Sequence, residues 1–351
     1  MTEKLNKLLE NADAILITSP HNLRYFTGFK GGEGTALIGK SFKYLFVDSR
    51  YTIEAQIESP DFEVIEFGGG KKNAEIKSRL DKHNISSLNF EDENMSFAEY
   101  NFATNTFSNV EFHGASKELA LLRMVKTPDE VDNLRKAEQI GVDAFKKILS
   151  LLKPGTAETE IVAELEYQMR KLGADGAAFD TIVVSGAKTS MPHGKPDNKK
   201  IENGDFVTMD FGCLYNGYCS DMTRTVVVGK ASPEQKKIYQ TVKQAQEAGL
   251  LAIKAGISGK DADKAARDII DNAGYGKYFG HSLGHGVGLL IHEMPNLSPL
   301  SNVILEPGMI VTCEPGIYVP DLGGVRIEDM VCVTEGGIEN LTDLDKELLE
   351  L

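Results

Sequence analysis

Apolar positions in the first third of the chain fall in short β-rich runs, Ala14 to Thr18, Thr35 to Gly39 and Tyr44 to Asp48. Between and after them lie segments with helical spacing, Tyr51 to Glu58 and Asn73 to His83. Strands alternating with helices predict a small α/β domain whose elements end near residue 115. A sharp helix start follows, with Thr127 as N-cap, Pro128 at the first helical position and Glu130 where a capping box needs its carboxylate. We therefore expect an N-terminal α/β domain over residues 1–119 and a second domain over 120–351. The same start recurs about a hundred residues on as Ser232, Pro233 and Gln235, ahead of a helical stretch from Glu234 to Lys254, and points to a long internal repeat.

The repeat is present. Residues 201–212, from Ile201 to Gly212, align without gaps on residues 305–316, from Leu305 to Gly316. Glu, Gly, Val, Thr and the final Gly are identical, and Asp210 falls on Glu314. Upstream, Lys153-Pro154-Gly155 matches Lys254-Ala255-Gly256, and each begins a helix that ends near a glycine, Gly173 or Gly274. The second domain reads as two related α+β halves facing each other about a pseudo-two-fold axis.

Phe206 to Phe211 and Tyr218 to Val228 are β-rich runs flanking Asn216-Gly217, a strong signal for a two-residue type I′ turn. If Tyr215 pairs with Tyr218, the register sets Asp210 opposite Thr223 and diagonal to Asp221, with the two aspartate Cα atoms roughly 7 Å apart on one face. An aspartate in a strand is often a solvated surface residue. These two, however, sit among Val207, Met209, Phe211, Met222 and Val226, where strands disfavour Asp. Like charges on a half-buried face repel unless a proton or a cation intervenes. In the second half Glu314 stands at the position of Asp210, and Glu328, in a run from Val325 to Val333, follows it as Asp221 follows Asp210. Four acids brought together carry a formal charge that two divalent ions would neutralise and a dry core would not tolerate.

Overall charge narrows the function. Against 38 basic residues stand 52 acidic ones, a net charge of -14, which gives no general attraction for nucleic acid or anionic membranes. No run approaches the roughly 18 apolar residues of a membrane span. Met1 to Ala14 is charged and helix-like, without a leader's apolar stretch, so a cytoplasmic protein is expected. Cys213, Cys219, Cys313 and Cys332 lack the spacing of a disulfide or zinc framework and are expected as buried thiols. Of the 7 histidines, His193, His281, His285 and His292 lie in the second domain beside glycines or acids. The segment from Gly280 to Gly288 lacks the glutamate of a zinc helix and the lysine of a phosphate loop, while Gly284 and Gly286 leave the backbone beside His285 open to a ligand.

Taken in order, Asp210, Asp221, His285 in His-Gly-Val-Gly, Glu314 in Glu-Pro-Gly and Glu328 in Arg-Ile-Glu-Asp resemble the five metal ligands of the pita-bread metallopeptidases. That family includes methionine aminopeptidase, aminopeptidase P, prolidase and creatinase. The resemblance implies a C-terminal pita-bread (creatinase/aminopeptidase) fold of the α+β class, plus a smaller creatinase N-terminal-like α/β domain. Asn22 to Phe29 resembles the Tyr-Leu-Thr-Gly-Phe signature of that smaller domain. Methionine aminopeptidases usually lack such a domain, and creatinase does not keep the ligands. The match is therefore to the Xaa-Pro peptidases. Prolidases often carry Arg after the segment that here reads His292-Glu293-Met294-Pro295, and this chain has Asn296. An aminopeptidase P-like activity on longer peptides is expected, with an Xaa-Pro dipeptidase and a non-catalytic binding protein of the same fold as alternatives.

The resemblance implies two divalent ions, and an oxygen-rich site with one imidazole suits Mn2+ first, then Co2+, Fe2+ or Zn2+. It makes Asp221 a bidentate ligand of one ion, Asp210 and Glu328 bridges, and His285 with Glu314 ligands of the other. Glu314 would be the general base. His292 and His193 would bind substrate and pass a proton to the departing proline nitrogen, because imidazole titrates near neutral pH. His281 would line the pocket for the proline side, and Arg326 would orient a ligand carboxylate. The expected partners are a proline-containing peptide and, for the N-terminal domain, a second copy of the chain in a homodimer.

Overall fold

The computed structural model describes residues 6–351, so the part of the expected helix-like start that precedes residue 6 lies outside the described residues. The chain divides into two compact units, Met1–Leu122 and Arg123–Leu351.

In the first unit the strands β1 (Ala14–Ile17), β2 (Thr35–Gly39), β3 (Lys43–Val47), β4 (Glu63–Glu66), β5 (Ser87–Phe90) and β6 (Glu111–Gly114) form one sheet in the order β4-β3-β2-β1-β5-β6. β1 pairs antiparallel with β2 and parallel with β5, so the sheet is mixed. Helices at Thr52–Glu58, Lys72–Lys82 and Phe97–Thr106 connect its strands, and Ile76, Leu80, Ala103 and Phe107 pack on Leu16, Leu37 and Phe46.

The second unit is built from two halves. The first has helices Pro128–Ile148 and Glu158–Lys171, then β7 (Gly176–Ala177), β8 (Ile182–Ser185), β9 (Phe206–Phe211), β10 (Cys213–Tyr215), β11 (Tyr218–Cys219) and β12 (Met222–Val227). The second has helices Pro233–Ala252 and Gly259–Asn272, then β13 (Gly284–Gly286), β14 (Glu293–Leu297), β15 (Ile310–Cys313), β16 (Gly316–Val319), β17 (Gly323–Arg326), β18 (Asp329–Val333) and β19 (Ile338–Asn340). Both capping boxes form: the Thr127 and Ser232 hydroxyls accept from the backbone of Glu130 and Gln235, whose side chains reach back to the caps. Each helix pair covers the strands of its own half. Ile140, Phe145, Ile161 and Leu165 pack on Met209 and Phe211, while Val242, Ala245, Ala266 and Ile270 pack on Val311 and Val331.

Backbone hydrogen bonds repeat between the halves. Gly155 N–H donates to the Ile201 carbonyl at 2.9 Å, and Gly256 N–H to the Leu305 carbonyl at 2.9 Å. Ile201 returns a bond to Thr156 at 2.9 Å, and Leu305 to Ile257 at 2.8 Å. Gly155 and Gly256 hold φ of 90° and 84°, a left-handed conformation that glycine adopts without strain.

The Asn216-Gly217 turn has both φ values positive, 47° and 70°, as a type I′ turn requires. Tyr215 pairs with Tyr218, and Asp210 with Thr223. Two strands end sooner than their β-rich runs suggest. The Tyr218 to Val228 run breaks at Ser220-Asp221, and the Val325 to Val333 run breaks at Ile327-Glu328, where β17 leaves for a separate two-stranded sheet with β16. Asp221, Glu314 and Glu328 all sit in such breaks, so their backbones are released from the ladders at the point where the acids gather.

The register also changes one equivalence. Phe206 pairs with Val227 as its counterpart Ile310 pairs with Cys332, which sets Thr223, not Asp221, on Glu328 and Arg224 on Asp329. These counterparts touch across the axis. Glu328 N–H donates to the Thr223 carbonyl at 3.2 Å, and Arg224 forms a buried ion pair with Asp329 at 2.8 Å.

Candidate metal centre

β9 alternates in the way that aims Asp210. Val207, Met209 and Phe211 are fully buried, while Thr208 and Asp210 take the other face. Asp221, His285, Glu314 and Glu328 line the same cavity, of about 310 Å3, with Asp210. Atoms of Asp221, His285 and Glu328 that could ligate an ion lie within 4.8 Å of one another. His285 Nε2 stands 3.4 Å from Asp221 Oδ2 and 3.4 Å from Glu314 Oε1. Its Nδ1 lies 3.1 Å from the Gly286 carbonyl, a contact in which a protonated Nδ1 leaves Nε2 as an acceptor facing the acids.

Neighbouring groups hold the carboxylates in place. Thr223 Oγ1 donates to Glu328 Oε2 at 2.7 Å, and Thr312 Oγ1 donates to Glu314 Oε1 at 3.1 Å. Arg326 Nη2 donates to Asp210 Oδ2. The backbone N–H of Glu314 is tied to the Leu283 carbonyl at 2.8 Å. Gly284 allows this approach, since a Cβ there would stand 2.0 Å from the Thr312 carbonyl oxygen.

Burial, followed by the charges of Asp210 and Glu314, pushes Asp221 well above the ordinary carboxylate range. Burial, then Asp221, Glu314 and Asp210, does the same to Glu328. Glu314 is also raised by burial, although His285 and Arg326 oppose the shift. Four crowded acids faced by a single arginine are short of positive charge, and all their donor atoms are carboxylate oxygens or imidazole nitrogen. That donor set fits hard or borderline divalent ions.

His193, His281 and His292 line the cavity as well. The His292 ring stands edge-on to His285 with centroids 4.4 Å apart, and burial and then His285 lower its pKa. His281 is fixed more firmly. Its Nδ1 meets the Ser282 carbonyl at 2.8 Å and its Nε2 meets the Tyr318 hydroxyl at 3.0 Å. The Tyr318 hydroxyl in turn accepts from Arg326 Nη1 at 2.8 Å, which leaves its own proton for His281. Burial, then the Arg326 charge, lowers His281 to about 4, so the ring is neutral at physiological pH. Arg326 is the one cationic side chain among the described residues that line the cavity, and it is committed to Asp210 and Tyr318.

The structure thus brings all nine residues singled out in the sequence to one cavity. Sequence reasoning missed Tyr318, Thr223, Thr312 and Glu138. Nothing in sequence marks the first three. Glu138 left a signal, an acid on the buried stripe of the Pro128–Ile148 helix, four residues from Leu134 and from Val142. Burial raises its pKa to about 7.

Comparison with known proteins matches residues 132–335 to metallopeptidase family M24 and residues 2–125 to the creatinase/prolidase N-terminal domain. The chain is 41% identical over 356 residues to an Xaa-Pro dipeptidase of Pyrococcus furiosus, covering 99% of this chain and 100% of the relative. Its structure resembles that of an Xaa-Pro dipeptidase from Bacillus anthracis with a TM-score of 0.97 and 43% identity, over 100% of this chain and 99% of that one. It also resembles an X-Pro aminopeptidase from Thermotoga maritima MSB8, with a TM-score of 0.94 and 39% identity, over 99% of this chain and 100% of that one. The chain belongs to metallopeptidase family M24, with a creatinase/prolidase N-terminal domain ahead of its pita-bread domain.

Proposed function

We propose that this protein is a dinuclear metal-dependent exopeptidase that hydrolyses the bond between an N-terminal residue and a following proline. The observation that carries this reading is the convergence of four acids and one imidazole on a cavity walled by three further histidines. Asp210, Asp221, His285, Glu314 and Glu328 would hold the ions. Asp221, His285 and Glu328 have ligand atoms close enough together to share one ion, while Asp210 also accepts from Arg326. Mn2+ is the ion we expect, on the donor set.

Bound there, the ions would acidify a water molecule and polarise the scissile carbonyl. Glu314 would take that water's proton on its carboxylate, whose Oε1 is oriented by Thr312. Proline's nitrogen has no hydrogen of its own in the peptide and must gain one to leave. His292 and His193, which line the cavity, would supply it. His281, kept neutral by burial and the Arg326 charge and hydrogen-bonded to Tyr318, would present a fixed polar wall on the proline side.

The dipeptidase activity named for the Pyrococcus furiosus and Bacillus anthracis relatives supports dipeptides as substrates. A second reading, aminopeptidase action on longer peptides, is favoured by one observation: Asn296 stands in the cavity wall and Arg326 is already engaged, which leaves a dipeptide's terminal carboxylate without a dedicated cation there. Digestion of Ala-Pro and of Arg-Pro-Pro by Mn2+-loaded protein, with products identified by mass spectrometry, separates them. Cleavage of Ala-Pro is the expected result. Release of Arg from the tripeptide with little dipeptide cleavage would establish the second reading. Failure of both peptides with Mn2+, Co2+, Fe2+ and Zn2+ would overturn the catalytic assignment.

No helix among the described residues is long and apolar enough to cross a membrane. The four cysteines are buried free thiols, which supports a reducing, cytoplasmic setting. A homodimer is supported by Ile53 and Ile57, each 74% exposed one turn apart on the helix Thr52–Glu58. Sedimentation at the mass of one 38.4 kDa chain would contradict it.

A further inference from the structure

Glu138 occupies the buried stripe of the Pro128–Ile148 helix and is 0% exposed. For packing alone Leu or Met would fill that position at lower cost than a carboxylate. Both of its oxygens are used. Oε2 accepts the backbone N–H of Asp221 at 3.3 Å, a group that lies in the gap between β11 and β12. Oε1 accepts from Thr342 Oγ1 at 2.6 Å. Thr342 Oγ1 itself accepts the backbone N–H of Met330 at 2.9 Å, two residues beyond Glu328. One side chain therefore bonds the Asp221 break directly and, through Thr342, Met330 in β18, two residues past Glu328.

We propose that Glu138 is a positioning residue for the metal centre, fixing the backbones of Asp221 and Glu328 at the separation two ions require. The inference rests on the metal-centre reading above. Asp221 and Glu328 come from different halves of the unit. Thr223 and Arg224 tie the neighbouring strands to Glu328 across the axis, and Glu138 with Thr342 adds a tie to the Asp221 backbone itself.

The test is a calorimetric Mn2+ titration of the metal-stripped full chain and of its Glu138→Met and Glu138→Gln variants, with metal-free melting temperatures recorded beside it. Gln can still accept the Asp221 N–H, whereas Met accepts nothing. Glu138→Met is expected to weaken Mn2+ binding about 10- to 100-fold, with Glu138→Gln within about three-fold of the parent. In the metal-free Met variant the Asp221 N–H and the Thr342 hydroxyl lose their buried acceptor, so some fall in melting temperature is expected and affinity is the deciding readout. A merely structural role would lower the melting temperature and leave affinity alone. Parental affinity in Glu138→Met overturns the inference, and so does a full loss in Glu138→Gln. Should Glu138→Met not fold, Thr342→Val and Thr342→Ser decide the matter: the inference expects Val about ten-fold weaker than Ser, and equal values refute it. A parent that binds no Mn2+ brings down the metal-centre reading with this one, whereas equal affinities in parent and variants remove this one alone.

Discussion

Glu314→Ala is expected to lower kcat by about 10³-fold or more, since general-base catalysis alone contributes roughly 10²–10⁴-fold and the same side chain would also hold an ion. Its placement makes the effect specific. The residue follows β15 at a break in the ladder, its N–H is fixed to the Leu283 carbonyl, and its Oε1 stands 3.4 Å from His285 Nε2. Glu314→Gln separates the two roles, because the amide oxygen can still ligate but the group cannot take a proton near neutral pH. The variants should be assayed beside elemental analysis of their metal content. Near-normal turnover by either at full metal occupancy would contradict the assignment of Glu314 as base.

Metal binding should stabilise the protein more at neutral pH than in weak acid, and the sign follows from the raised carboxylates. Asp221 and Glu328 are held well above their ordinary range, and Glu314 is raised too. Between their unfolded values, near pH 4, and their folded ones the native metal-free chain binds more protons than the unfolded chain, so its stability falls as pH rises through that window. Ligation requires the same groups deprotonated. At about 100 times the Kd an ion adds about 2.7 kcal/mol, which for a domain of this size raises Tm by about 5–10 °C. Scanning calorimetry of loaded and metal-stripped protein at about pH 5.5 and about pH 7.5 should show the gap in Tm widening at the higher pH. An equal gap at both, or none, would mean that the carboxylates do not titrate with the ions.

Much of this arrangement was legible in the sequence because local chemistry decides it. Thr127 and Ser232 cap helices through hydrogen bonds three residues long, and Asn216-Gly217 fixes a turn whose register then carries to Asp210 and Thr223. The repeat located Glu314 because its position depends on a gapless match with residues 201–212. Glu328 is legible in sequence but its counterpart is not: sequence matches acid to acid, while the ladder matches Glu328 to Thr223. The break at Ile327-Glu328 was hidden because the run from Val325 to Val333 is β-rich throughout, and the departure of β17 to pair with β16 is a tertiary choice. Tyr318 could not be foreseen either, since its role depends on β16 bringing its hydroxyl between His281 and Arg326.

Five residues from the two halves are proposed to hold a pair of ions. Anomalous diffraction at the manganese edge from crystals of Mn2+-loaded protein decides whether they do. Two peaks about 3.5–4 Å apart are predicted, enclosed by Asp210, Asp221, His285, Glu314 and Glu328. No peak in that cavity, or peaks ligated elsewhere on the chain, would contradict it.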